Sequence, residues 1–142
     1  MKKLIVYYSK TGHTESVVNR FEDFDSQAIK AQSDDPNQKT VEFIFKPSID
    51  DIKHIVFACP VHGFQACRIM KAYIKQLSDF AGKTIDLFVT HHFRFAWLGG
   101  RQALKQMRHL IEEKGGKVRY ETSINWQSHK RELDIQSMIE KY

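Results

Sequence analysis

Leu4-Ile5-Val6-Tyr7-Tyr8-Ser9-Lys10-Thr11-Gly12-His13-Thr14 is the stretch on which the fold turns. Residues 4–8 are a compact apolar run of β-branched and aromatic side chains, the composition of a buried strand. The run breaks at once into six polar or small residues. Val17, Val18, Phe21 and Phe24 then recur at helical spacing. The pattern predicts a buried strand, a tight loop and an amphipathic helix. The first N–H groups of a helix have no internal acceptor, and its dipole favours an anion there. Gly12 lets the backbone approach a ligand closely, and Ser9, Thr11 and Thr14 bring hydroxyls. A nucleotide-triphosphate loop is excluded because no Gly-Lys-Ser/Thr follows, and a dinucleotide fingerprint because one glycine stands where three are needed. An N-capped helix without any ligand stays open at this point.

Composition sets the outer bounds. The 142 residues suit one domain, 1–142, with 42% hydrophobic and 27% charged residues. No apolar run approaches the length of a membrane span, and the N-terminal one is too short for a signal-peptide core. Cys59 and Cys67 form neither a C-x-x-C motif nor a disulfide framework, so a reduced, cytoplasmic setting is expected. The net charge is +5, and the excess sits in residues 72–142, with twelve Lys/Arg against eight Asp/Glu. Arg101, Lys105 and Arg108 fall on a helix whose other face reads as core. They suit a solvated face better than a nucleic-acid surface. Positive charge biases encounters toward acidic partners or anionic ligands.

Further along, residues 26–32 offer a short strand, and Ser33-Asp34-Asp35-Pro36-Asn37 must be a loop. Residues 40–45 are β-rich and end at Lys46-Pro47-Ser48, with a possible turn at residues 49–52. No helical period appears between residues 33 and 50. Residues 54–59 and 84–90 read as buried strands and 118–124 as a last strand. Helices are expected through Ile69, Met70, Tyr73, Ile74 and Leu77, and through Ala103, Leu104, Met107, Leu110 and Ile111, the latter stopped by Gly115-Gly116. A closing helix over residues 130–142 carries Leu133, Met138 and Ile139. Strands of continuous apolar character alternating with helices mean a parallel sheet covered on both faces.

Ser9-Lys10-Thr11-Gly12-His13-Thr14, placed after a first strand, resembles the phosphate loop of the flavodoxin family, S/T-x-T-G-x-T. A receiver domain would share the fold but wants acidic residues where Tyr7-Tyr8-Ser9 stands. The resemblance extends to Pro60-Val61-His62-Gly63-Phe64, similar to the family's second flavin loop. It also takes in Phe95-Ala96-Trp97-Leu98-Gly99-Gly100-Arg101-Gln102-Ala103, similar to the flavin-flanking loop and helix start of short members. It implies an α/β doubly wound, flavodoxin-like five-stranded parallel sheet of order 2-1-3-4-5 in a three-layer sandwich. The segment near residues 33–50 departs from the family, whose second helix is expected to be lost or reduced.

In such a sheet ligands bind outside the carboxyl ends of the strands, where strand order reverses. Loops 9–14, 60–65 and 91–99 should converge there. By resemblance the ligand is FMN, with Ser9, Lys10, Thr11, Gly12, His13 and Thr14 around its phosphate. Pro60, Val61, His62, Gly63 and Phe64 would form the second loop. His62 stands where many members carry tryptophan, and the Gly63 carbonyl would meet the flavin N5 edge. Thr90 and the backbone of His91 and His92 would meet the pyrimidine edge, with Phe93 or Phe95 on the other face. Phe93 and Phe95 could equally pin their loop to the core. Trp97 reads as a packing residue and Cys59 as a small core residue. Cys67, at a helix start, invites a lowered thiol pKa. His91-His92 lack a third metal ligand at suitable spacing. The implied function is FMN-mediated electron transfer to a redox partner protein or a quinone-like acceptor, without nucleic acid or membrane. An NAD(P)H-dependent quinone or flavin reductase and a flavin-free binding module are the alternatives. The basic loops, with His91, His92 and Arg94, depart from acidic low-potential carriers and favour the quinone-like acceptor.

Overall fold

Lys3–Tyr7 forms β1, and its alternate side chains serve two cores: Leu4 and Val6 on one side, Ile5 and Tyr7 on the other. Double-sided burial is what a parallel sheet demands. The computed structural model describes residues 2–35, 37–92 and 97–142. After β1 come α1 (His13–Val18), β2 (Asp25–Ala28), β3 (Lys30–Ala31), β4 (Phe43–Phe45), β5 (His54–His62) and β6 (Gln65–Ala66). The chain continues through α2 (Arg68–Gln76), β7 (Thr84–His91), α3 (Trp97–Glu112), β8 (Val118–Asn125) and α4 (Arg131–Lys141).

The main sheet runs β2-β1-β5-β7-β8, all parallel. Counting only these five strands, the order is 2-1-3-4-5, as the family resemblance implies. Ile55, Phe57 and Cys59 of β5 and Ile85, Leu87 and Val89 of β7 join the core that includes Ile69, Met70 and Tyr73 of α2 and Ala103, Met107 and Ile111 of α3. Val56, Ala58 and Phe88 join the opposite core with Val17 and Val18 of α1 and Ile135 and Met138 of α4. Helices therefore close both faces.

One helix end and two burial positions differ from the periodicity. The first helix ends at Val18, where the Asn19 N–H donates to the Glu15 and Val17 carbonyls, so Phe21 reaches the core from the turn beyond it. In α4 it is Ile135 and Met138 that are buried, while Leu133 is exposed. Leu110 is only half-buried.

Residues 29–53 contain no helix among the described residues. β3 and β4 pair antiparallel as a separate two-stranded sheet, and Ile29, Ile49 and Ile52 drop into the core. Irregular backbone needs partners for its carbonyls. Side chains of other elements supply them. Arg68 donates to the Asp35 and Gln38 carbonyls, Tyr73 to Pro47, and Lys83 to Ile49 and Ile52 at 3.1 and 2.8 Å. The lost helix is thus replaced by a hairpin and by donors from the elements flanking it.

Candidate functional site at the carboxyl end of the sheet

The loop leaving β1 enters α1 through Gly12, whose φ of 90° is a left-handed conformation that side chains resist. A Cβ at Gly12 would meet nothing within 4 Å, so the loop faces open space there. The N-cap residue Gly12 has no side chain to cap α1. Ser9 Oγ accepts the Glu15 N–H at 3.2 Å, and Ser16 N donates to the Gly12 carbonyl. The helix leaves the N–H groups of His13 and Thr14 without an acceptor of its own. Thr14 is buried, and its hydroxyl is 2.9 Å from that of Thr90 at the end of β7. Thr11 is exposed.

The second loop is tighter than expected. β5 runs on through Pro60 and Val61 to His62, and Val61↔Ala66 and His62↔Gln65 pair as a hairpin. Gly63 and Phe64 are its two-residue turn, with φ of 54° and 66°. Positive φ at both positions is the pattern of a type I′ turn, whose twist matches the flanking strands. Gly63 takes this freely; Phe64 does so against a steric cost and stands exposed. The tip rests on α3. A Cβ on Gly99 would lie 2.9 Å from Phe64 Cα and 3.3 Å from Val61 Cγ1. Gly99 and Gly100 are helical rather than loop residues, and Gly99 is where the helix admits the hairpin backbone.

The third loop is shorter at both ends, since His91 ends β7 and Trp97 opens α3. Thr90 and His91 are buried, and His92 is exposed. The His91 carbonyl accepts the Trp126 N–H at 2.8 Å. Phe93, Arg94 and Phe95, and the side chain of Trp97, lie outside the described residues.

Several titratable side chains meet at this rim. Lys10 pairs with Asp34 at 2.9 Å, holding the Asp34 carboxyl below its usual range. Burial and the nearby Lys10 push the His62 pKa down, while Asp34 opposes the shift. His13 stacks on Trp126 with ring centroids 4.1 Å apart, and lies 5.7 Å from His92. Burial first, then His92 and Arg131, lowers its pKa. The Arg131 guanidinium lies over the Trp126 ring at 4.4 Å. Tyr8 is raised by burial and by Asp34. Cys67 departs from expectation: burial and the adjacent Cys59 thiol raise its pKa well above normal, so it is no activated nucleophile. Among the described residues no cluster of His, Cys, Asp and Glu could hold a metal, and no helix is long and apolar enough to cross a membrane.

Loops from β1, β5 and β7 thus meet at one end of the sheet, and the described residues 9–14, 60–64 and 90–92 line it. The sequence reading missed Asp34 and Trp126. Asp34 sits in a turn-rich run with no periodic signal. Trp126 follows the last strand at the same end of the sheet, so topology alone could have pointed to it.

This architecture defines the class: the chain has the flavodoxin-like fold. Solved structures share it across nearly their whole length. A Bacteroides uniformis protein proposed to be a flavoprotein superposes with a TM-score of 0.70 at 23% identity, covering 96% of this chain and 97% of that one. The Trp repressor binding protein of Bacillus subtilis gives 0.68 at 16%, covering 99% of both chains. A Fusobacterium nucleatum flavodoxin bound to flavin mononucleotide gives 0.66 at 20%, covering 99% and 96%. No protein-family model matches the sequence, and no curated protein does.

Proposed function

We propose that the chain binds FMN non-covalently at the carboxyl end of β1, β5 and β7 and uses it to carry electrons. The observation that carries this reading is the Thr14–Thr90 hydroxyl bond, which ties the first loop to the third beside two glycines facing open space. The N–H groups of His13 and Thr14, with Ser9 and Thr11, would take the phosphate. Lys10, already paired with Asp34, would add charge at its edge. His62 and the Gly63 peptide would meet the ring, and the His91-His92 backbone its polar edge. Phe93 or Phe95 would cover the opposite face. FMN bound there supplies reversible one- or two-electron chemistry. The fold neighbour that holds flavin mononucleotide supports the choice of ligand.

The test is the visible absorption of the purified protein, followed by titration of the apoprotein with FMN, read as loss of flavin fluorescence. Thr11→Ala should weaken FMN by roughly ten- to a hundredfold, the loss of one hydrogen bond to a charged acceptor. Riboflavin, which lacks the phosphate, should bind more weakly than FMN and be indifferent to the change. Apoprotein that leaves FMN fluorescence unchanged overturns the reading. The second reading is direct reduction of a quinone-like acceptor. Oxidation of NADPH by the loaded protein alone, with a quinone present, would mark that reductase activity.

A further inference from the structure

α2 reads Arg68-Ile69-Met70-Lys71-Ala72-Tyr73-Ile74-Lys75-Gln76, with three cations and no acid. Arg68, Lys71 and Lys75 are spaced i, i+3 and i+7, so they share one face. Two of them crowd the positive end of the helix dipole, where anions are favoured and cations are not. Lys71 and Lys75 form a like-charged i, i+4 pair, which works against the helix. Across from them lies Lys39, and the four line a cleft of about 590 Å³ with Thr40, Val41, Ala72 and Gln76. Among the described residues none of the four pairs with a carboxylate. Arg68 spends its guanidinium on the Asp35 and Gln38 carbonyls, which leaves its charge uncancelled. The nearby Asp35 carboxylate accepts the Asn37 N–H instead.

The cationic face of α3 is different. There Arg108 meets Glu121 at 2.6 Å and Glu112 at 3.9 Å. The central cation of that face is thus paired twice within the fold, whereas none of the four cations of the α2 cleft meets a carboxylate.

We propose that the α2 cleft docks an acidic segment of a partner protein. Carboxylates placed along the stripe would relieve the repulsion within α2 and complement its dipole. The lining contains no aromatic ring on which a base could stack, and the one guanidinium is already engaged, which disfavours single-stranded nucleic acid. A cleft lined by four cations, whose only apolar side chains are the small Val41 and Ala72, has no large apolar or aromatic anchor to insert among acyl chains, which suits a chain rather than a bilayer. The position matters: Lys71 donates to Gln65 Oε1 at 2.9 Å, so the stripe abuts the hairpin carrying His62 and Gly63. A partner seated there lies beside the carboxyl-end rim. The proposal does not depend on the flavin reading, because binding is measured on the protein with and without FMN.

The experiment is fluorescence anisotropy of a labelled octaglutamate peptide at low ionic strength, with an octauridylate and phosphatidylserine vesicles as competing probes. The wild type should bind the peptide and release it as salt is added. Lys71→Glu/Lys75→Glu should weaken binding by about tenfold or more, and Lys71→Gln/Lys75→Gln by less, if these charges make the contact. Lys105→Glu/Lys117→Glu carries the same change in net charge and should leave binding within about twofold, since it alters only the diffuse field. Equal losses in the two reversal variants would reduce the effect to overall charge and overturn the proposal. So would octauridylate or vesicles binding through Lys71 and Lys75 more tightly than the peptide. Circular dichroism checks that each variant folds; should the glutamate pair not fold, the glutamine pair decides, and its binding as tightly as wild type overturns the proposal.

Discussion

The hydroxyls of Thr14 and Thr90 meet at 2.9 Å, 76 residues apart in sequence and both buried. One belongs to the first turn of α1 and the other to the end of β7, so a single bond sets the spacing of two loops on the rim. Thr90→Val keeps the shape of the side chain but leaves Thr14 Oγ1 buried without this partner. A buried hydroxyl stripped of its bond costs about 1–3 kcal/mol, whereas replacing both partners is close to neutral. Thr90→Val should therefore lower the urea midpoint, and Thr14→Val/Thr90→Val should recover most of it. A double variant as unstable as the summed singles would show that the two hydroxyls do not act as a pair.

Gly99 fixes the hairpin against α3. Its missing Cβ is the space occupied by Phe64 Cα at 2.9 Å and Phe64 Cδ1 at 3.1 Å. Backbone cannot step aside as a side-chain tip can, so Gly99→Ala must push the hairpin away. Overpacking of this kind costs roughly 1–3 kcal/mol, more than the helix gains from losing a glycine. The expected outcome is a less stable protein with weaker FMN binding, because the displaced hairpin carries His62 and Gly63. A Gly99→Ala variant as stable as wild type, with unchanged hairpin chemical shifts, would refute the contact.

The parallel sheet and its two core faces were legible because parallel strands buried on two sides leave continuous apolar runs; the strand order came only with the family resemblance of the loops. Leu4 to Tyr7 and Ile55 to Cys59 are such runs. The loops were legible as places but not as shapes. Pro60, Val61 and His62 read as loop because proline follows the apolar run, yet they continue β5 into a hairpin whose partner is only Gln65 and Ala66. Two residues carry no period. Gly99 read as the end of the third loop, yet it lies inside α3, and only the tertiary approach of Phe64 explains a glycine there. The loss of the second helix was legible from residues 33–50, whereas the donors that replace it, Arg68, Tyr73 and Lys83, are distant in sequence. Leu133 was misassigned because an apolar residue on a short terminal helix can face water at small cost.

Acid should weaken the fold through its rim histidines. Burial, and the positive charge of Lys10, lowers the His62 pKa from its ordinary 6.5. The unfolded chain then takes up the proton first as pH falls. Stability from this group is complete above the unfolded pKa and is lost as pH drops through 6.5 toward the folded value. His13 has the same sign, from burial and its neighbours His92 and Arg131. Urea midpoints measured at pH 8 and pH 5.5 should fall at the lower pH, and His62→Gln should shrink that difference. An unchanged difference in His62→Gln would mean that this histidine titrates alike in the folded and unfolded states.

Asp86 does the opposite work at the far end of the sheet. It is fully buried in an apolar strand, where a lone carboxylate would be costly. The β7–β8 ladder shifts register there: Ile85 pairs with Val118 and Asp86 with Tyr120, so Arg119 is the extra residue. Such a bulge re-aims its side chain and disrupts ladder bonds locally. Arg119 donates to both Asp86 oxygens, at 3.1 and 2.7 Å, and the Tyr120 N–H donates to Oδ1 at 3.0 Å. His54 Nε2 lies 2.6 Å from Oδ2. The carboxylate thereby holds the bulged strand and joins the amino ends of β5, β7 and β8. Asp86→Ala strips His54 and the Tyr120 N–H of their acceptor, while the half-exposed Arg119 can turn to water, and should cost about 1–3 kcal/mol, the usual penalty for a buried polar group left unpaired. Asp86→Asn retains an acceptor for the Tyr120 N–H and should cost less. Because the network sits at the end of the sheet opposite the rim, folded Asp86→Asn should bind FMN within about twofold of wild type, as expected for distant, independent sites. A tenfold loss of FMN affinity in a variant with native circular dichroism would show that the two ends of the sheet are coupled.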